Sequence, residues 1–207
     1  MLIDIKKYTI IVLIIIGFTI AIPISLFAKD AKPNVIHSDY LSRADYAGID
    51  LPIKINDFNL GIVTDYRRKN PGLGVSVSYL HTEYTTTIYF YDNNSKFIPS
   101  RIDLNNPQHI TLLLQPDISS SLEIKELVKR GVYSKVKEKG VNGSPKNTGI
   151  FTCSGYDIEK NKTDFDSYLC LTMHNNKFIK VRMSMPARKD STKIVSDFLN
   201  EFYKNFK

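Results

Sequence analysis

Tryptophan is missing from the 207 residues, cysteine occurs twice and histidine four times. Each scarcity removes a kind of chemistry. His37, His81, His109 and His174 are scattered, with no His-Glu-x-x-His pair and no Cys or His spacing of the zinc-finger kind. Neither a helical zinc-protease site nor a structural zinc site is therefore expected. No Gly-x-Ser-x-Gly elbow is present, which removes the acyl-transfer hydrolases built on that turn. No glycine-rich loop with a lysine is available to cradle phosphate, and Gly72-Leu73-Gly74 is short and suits a turn into a strand. The cysteines do not form Cys-x-x-Cys, so that device for lowering a thiol pKa is absent. The expectation is a protein with no catalytic set, no metal and no cofactor.

What is present is ordinary in bulk and basic in balance. Apolar residues make up 43% of the chain, enough for a real core, and Tyr 12 with Phe 11 biases it toward aromatic strands. Lys and Arg outnumber Asp and Glu by 28 to 21, a formal net charge of +7, which favours anionic partners.

Residues 1–28 carry an address. Lys6 and Lys7 precede an almost wholly apolar run over 8–22, followed by Pro23 and Ala28, and Lys29, Asp30 and Lys32 end the run sharply. These are the three parts of a secretory signal. Leu26 stands where a small residue is preferred for cleavage, and the run is long enough to span a bilayer. An uncleaved anchor with Lys6 and Lys7 cytoplasmic is therefore the alternative. Either way the rest of the chain lies outside the cytoplasm, periplasmic or secreted, or anchored to the inner membrane on the periplasmic side. No cysteine follows the run, so no lipid anchor is expected there. Export argues against a nucleic-acid partner and favours envelope lipid, glycan or protein.

Residues 29–50 read as a polar tether with a short helical turn near Tyr40 to Tyr46, and a single domain is expected over 51–207. The hairpin over 72–92 organises it. Val75, Val77 and Tyr79 alternate with Ser76, Ser78 and Leu80, and 86–91 is β-branched or aromatic throughout. A first strand is predicted over 58–66. A helix is predicted over 112–138, starting near Pro116 to Ser121, from the spacing of Ile118, Leu122, Ile124, Leu127, Val128, Val132 and Val136. Strands follow over 150–156, 167–174 and 177–185, with a charged loop at 157–164 and an Asn175-Asn176 turn. A last helix, capped by Ser191-Thr192, carries Ile194, Val195, Phe198, Leu199, Phe202 and Phe206. The fold class is α+β: an antiparallel sheet in the order βββαβββα, covered by helices.

The closing strand Phe178-Ile179-Lys180-Val181-Arg182 followed by the helix from Ser191 to Phe206, with the element order over 51–207, resembles the architecture of PsbP-like, Mog1-like and DcrB-like proteins. That resemblance implies a small accessory or adaptor protein without a catalytic site, and it carries no site residues over. The chain also looks like an uncharacterised bacterial envelope protein.

Cys153 and Cys170 fall on successive predicted strands, so behind an export signal they read as one disulfide; the alternative is two buried free thiols. Arg67, Arg68 and Lys69, with Arg101, are the candidate anion-binding residues, against a solvated basic turn. Asp57, Asp65, Glu83 and Asp92 read as strand-end and turn residues. Asp157, Glu159, Asp164 and Asp166, interleaved with Lys160 and Lys162, read as a solvated hairpin tip rather than a calcium loop or a glycosidase pair. The expected function is an exported non-catalytic envelope protein that binds another envelope protein or aids an assembly. The alternatives are a binder of anionic lipid or glycan, and a hydrolase with an unfamiliar site.

Overall fold

The computed structural model describes residues 34–36, 41–140, 143–146 and 148–206. The export segment read at 1–28 lies outside the described residues, as does His37. The described strands are β1 (Asn34–Ile36), β2 (Lys54–Ile55), β3 (Phe58–Asp65), β4 (Val75–Leu80), β5 (Thr85–Tyr91), β6 (Lys135–Glu138), β7 (Thr152–Lys160), β8 (Thr163–His174) and β9 (Lys177–Pro186); the α-helices are α1 (Pro107–Lys129) and α2 (Ser191–Tyr203). All strands belong to one sheet in the order β1-β3-β4-β5-β9-β8-β7-β6, with β2 paired beside β3, and every pairing is antiparallel. The α+β class and the antiparallel sheet with its helices are as the sequence indicates.

Alternation along the strands divides the side chains between two layers. Val75, Val77, Tyr79, Ile88, Phe90, Ile179, Val181 and Met183 turn to one face and bury Val195, Phe198, Leu199 and Phe202 of α2. Leu171, Met173, Phe178 and Tyr91 turn to the other face with Leu113 of α1, and Leu169, Tyr156 and Ile158 meet Ile124 there. Burying a large apolar side chain completely is worth about 2 kcal/mol, so the α2 side supplies most of the core.

Two of three asparagine turns settle hairpin registers, and the other, Asn93-Asn94, ends β5. Asn93-Asn94, Asn161-Lys162 and Asn175-Asn176 all have positive φ. The second and third pairs each join strands across two residues, where such turns match strand twist. The charged loop expected at 157–164 is thus reduced to Asn161-Lys162, and β7 and β8 run through it in register from Asp157↔Asp166 to Lys160↔Thr163.

Other expectations are corrected. The helical turn expected near Tyr40 to Tyr46 is present as a 3-10 turn over Arg43–Tyr46, but the stretch read as a tether also contributes β1, paired to β3, and Tyr46, Ala47 and Ile49 join the core. Helix α1 starts earlier than expected, at Asn106, whose side chain accepts a hydrogen bond from the Gln108 N–H, with Pro107 in the first turn. Pro116 sits inside the helix rather than opening it. The helix stops at Lys129 because Gly131 takes φ 70°, and Val136 belongs to β6 instead. Ser191 does not cap α2; Asp190 holds the cap position, and the Ser191 hydroxyl bonds Tyr168 Oη at 2.7 Å.

A disulfide joins Cys153 to Cys170, which face each other directly across β7 and β8 with Cα atoms 4.1 Å apart. It is compatible with an oxidising compartment. No helix among the described residues is long and apolar enough to cross a membrane.

Candidate anion-binding face

Helix α1 packs on β8 and β6, over one end of its face of the sheet. Beyond it the same face, across β9, β5, β4 and β3, carries Arg182, Ser184, Thr87 and Ser78, all half-buried, with Leu80 and Ile62 exposed toward the β3 side. Parity explains this composition: the positions that alternate with the α2-facing core residues carry Ser, Thr, Tyr, Lys and Arg.

Arg182 is central. It stands opposite Thr87 on β5 and Leu169 on β8. Its Nη2 donates to Tyr133 Oη at 2.8 Å. Tyr133 is held there by the end of α1, where the Val132 and Tyr133 N–H groups both donate to Leu127 O, at 2.9 and 3.3 Å. Among the described residues no carboxylate pairs with Arg182, and one of the guanidinium's five N–H donors is used.

Lys180 lies two residues back on the same side. Its Nζ is 3.5 Å from Glu123 Oε2 and 3.5 Å from Ser120 Oγ, both on α1. It also lies 4.9 Å from the centre of the Tyr89 ring and 5.7 Å from that of Tyr91. Burial pushes Lys180 below the ordinary lysine range, Glu123 pulls it back up, and Arg182 adds to the depression. Burial raises the Tyr89 hydroxyl. Two cations with a single carboxylate between them, in a partly desolvated setting, leave positive potential over Thr87, Tyr89 and Ser184.

Some hydroxyls of this face are committed elsewhere. Ser78 Oγ accepts from the Ile62 N–H at 2.7 Å and donates to Ile62 O at 3.1 Å, closing the register shift between Leu60 and Val63. Ser184 Oγ and Ser167 Oγ share a hydrogen bond of 2.8 Å.

The residues singled out from the sequence have other surroundings. Arg67 folds back on its own strand end: its backbone N–H and Nε both reach Asp65 Oδ1 at 2.9 Å, Nη2 reaches Asp65 Oδ2 at 2.8 Å, and Nη1 meets Asp45. These bonds hold the Asp65 carboxyl below the usual range although its burial opposes them. Arg67 is thereby a clamp between β3 and the 3-10 turn. Arg68 and Lys69 are exposed beside it, and Arg101 forms a backbone bridge to His174 at the β8–β9 hairpin. The anion candidates from the sequence are thus not gathered around one centre by any described contact, and Arg182 and Lys180 were missed. Their signal was present as the polar half of the alternation along 180–184; alternation alone does not tell which polar strand face is left open.

The acidic residues pair internally. Asp157 and Asp166 face each other across β7 and β8. Lys139 lies between them, 3.0 Å from Asp157 Oδ1 and in contact with Asp166 Oδ1. Burial alone would raise the Asp166 carboxyl, but hydrogen bonds from Lys139, the Arg188 N–H and Ser191 outweigh it and hold it low. At 3% exposure Asp166 is not the solvated residue expected of a hairpin tip. An open groove of about 650 Å³ between Asp57, Phe58, Tyr84 and α2 contains Asp197 and Glu201, each tied to a lysine, at 2.6 Å to Lys193 and 2.5 Å to Lys204. No group of three or more His, Cys, Asp or Glu among the described residues is placed to hold a metal. Compared with protein-family models, curated proteins and solved structures, the chain gives no significant match.

Proposed function

We propose that this chain is an exported, non-catalytic binding protein of the cell envelope, and that its ligand is an acidic glycan seated on the sheet face around Arg182. The carrying observation is a half-buried guanidinium with no carboxylate partner among the described residues and most of its donors unused. Desolvating a charge without compensation is costly, and an incoming carboxylate or phosphate offsets that cost with bidentate hydrogen bonds. The surrounding Thr87, Tyr89 and Tyr133 supply hydroxyls and aromatic surface suited to sugar rings rather than to acyl chains. The disulfide, the basic balance and the signal-like opening segment support a periplasmic or secreted site of action. The element-order resemblance to small accessory proteins agrees with a binding rather than a catalytic role.

The test is calorimetric titration with an oligouronate and with the matched neutral oligosaccharide, using the full chain and Arg182→Gln. Saturable binding of the oligouronate alone, weakened at least about tenfold by Arg182→Gln, is expected. Equal affinity of the two proteins, or equal binding of the neutral sugar, contradicts the assignment.

A further inference from the structure

A helix on the surface of a domain needs one apolar stripe, and α1 has two. Leu113, Pro116, Ser120 and Ile124 are buried against the sheet. Ile110, Leu114, Ile118 and Leu122, spaced by four and hence neighbours along the helix, are 43%, 49%, 57% and 58% exposed. Seven of the eleven large apolar side chains exposed among the described residues fall within 97–132, which makes this region the apolar surface of the domain rather than a share of scattered exposure. Phe97, 82% exposed, lies in the connection that leads to α1, and that connection is tied to the helix by the Asp103 N–H donating to His109 Nδ1 at 2.9 Å.

The charges around the second stripe are unequal. Glu123 turns inward to Lys180, Glu126 is paired with Lys129 at 3.1 Å, and Asp117, beside Ile118, is half-buried and hydrogen-bonded to Ser154. Lys125 and Arg130 are exposed and have no carboxylate partner among the described residues. An apolar row that ends in uncompensated cations complements an anionic bilayer surface, where the row enters the acyl boundary and the cations meet head groups. A second copy of this chain with its α1 parallel to the first would bring like charges together at the same place. We infer that the outer stripe of α1 docks in the plane of an anionic lipid bilayer, centred on Leu114, Ile118 and Leu122. This surface is separate from the Arg182 face, and its occupant is lipid rather than glycan.

The absence of native tryptophan gives a clean reporter. Ile118→Trp and, as a control on the opposite side of the sheet, Asn200→Trp are made in the full chain, and both sites are exposed. Emission is read on vesicles of phosphatidylcholine with phosphatidylglycerol, and of phosphatidylcholine alone, each with and without acyl-brominated lipid. Because both variants carry residues 1–28, attachment through that segment affects them alike. On anionic vesicles a blue shift and quenching at least about twofold greater for Ile118→Trp than for Asn200→Trp are expected, reduced by Lys125→Glu with Arg130→Glu and unchanged by Arg182→Gln. Equal quenching at the two positions overturns the inference, as does equal quenching on neutral vesicles. A concentration-dependent blue shift without lipid, with a doubled mass, overturns it in favour of a second copy.

Discussion

Arg182 on β9 is joined to Tyr133, in the turn that ends α1, by a 2.8 Å hydrogen bond from Nη2 to the tyrosine hydroxyl. The bond links the open part of the sheet to the helix that covers its neighbour, and it fixes the guanidinium with its other donors uncommitted among the described residues. Replacing Arg182 by Gln should change stability by no more than about 1 kcal/mol, since one hydrogen bond is lost while a partly desolvated charge is removed. Urea unfolding of the variant checks this. A much larger loss would make Arg182 a structural residue.

Lys180→Met separates binding from stability in the same region. Lys180 is held below its ordinary range by burial, so an apolar side chain of similar length should leave the fold as stable or raise it by about 1 kcal/mol. Affinity for the oligouronate should fall, because the inner cation is gone. Thermal unfolding and calorimetry on one preparation read both effects.

Lys139 between Asp157 and Asp166 is expected to be a structural ion cluster. Lys139→Met leaves two carboxylates facing across β7 and β8, one of them buried, and should cost about 3 kcal/mol at neutral pH. The sign of the pH dependence follows from Asp166, whose folded-state pKa lies below its unfolded value. Its stabilisation is complete above the ordinary carboxylate range near pH 4 and is lost as pH falls through the lower folded value. The gap between wild type and Lys139→Met should therefore close on acidification, as measured by urea midpoints across that range. A gap that widens in acid would contradict the cluster.

How far this fold is legible in the sequence depends on which rule governs each segment. Period-two alternation located β4 and β9, the β-branched and aromatic run over 86–91 located β5, and the Asn175-Asn176 turn named the last hairpin. The helical period failed past Lys129, because Val132 and Val136 continue the spacing by chance while Gly131 breaks the backbone. Ile118 and Leu122 belong to the spacing that predicts the helix yet lie exposed, because a stripe in sequence does not say which side faces the sheet. Arg67 to Lys69 form a run of cations, yet Arg67 is clamped by Asp65 and Asp45, and the Asp45 contact is long-range and invisible in a local reading. The residue around which the proposed site forms, Arg182, is an ordinary member of an alternating strand until the extent of α1 is known.

Two glycines with positive φ should respond differently to alanine. At Gly74, φ 64° and ψ −139°, a Cβ would lie 1.9 Å from Phe90 O, so the β4–β5 pairing itself must shift. At Gly131, φ 70°, nothing lies within 4 Å. Gly131→Ala should cost about 1 kcal/mol from the backbone conformation alone, and Gly74→Ala well over 2 kcal/mol. Denaturant unfolding of the two variants ranks them, and a reversed order would contradict the described packing.

Reduction tests the covalent link. The Cys153–Cys170 bridge spans a sequence separation of 17, for which chain entropy gives about 3 kcal/mol. Scanning calorimetry with and without reductant should show a melting temperature lower by about 10 °C in the reduced protein. An unchanged transition would mean that the sheet alone determines stability there.

The most direct measurement of the central claim is amide chemical-shift mapping of the isotopically labelled full chain titrated with an oligouronate. Saturable shifts centred on Thr87, Arg182 and Ser184, absent in Arg182→Gln, are the expected result. Shifts that are absent, or that gather instead at Asn56, Asp57 and the exposed side of α2, would contradict the account.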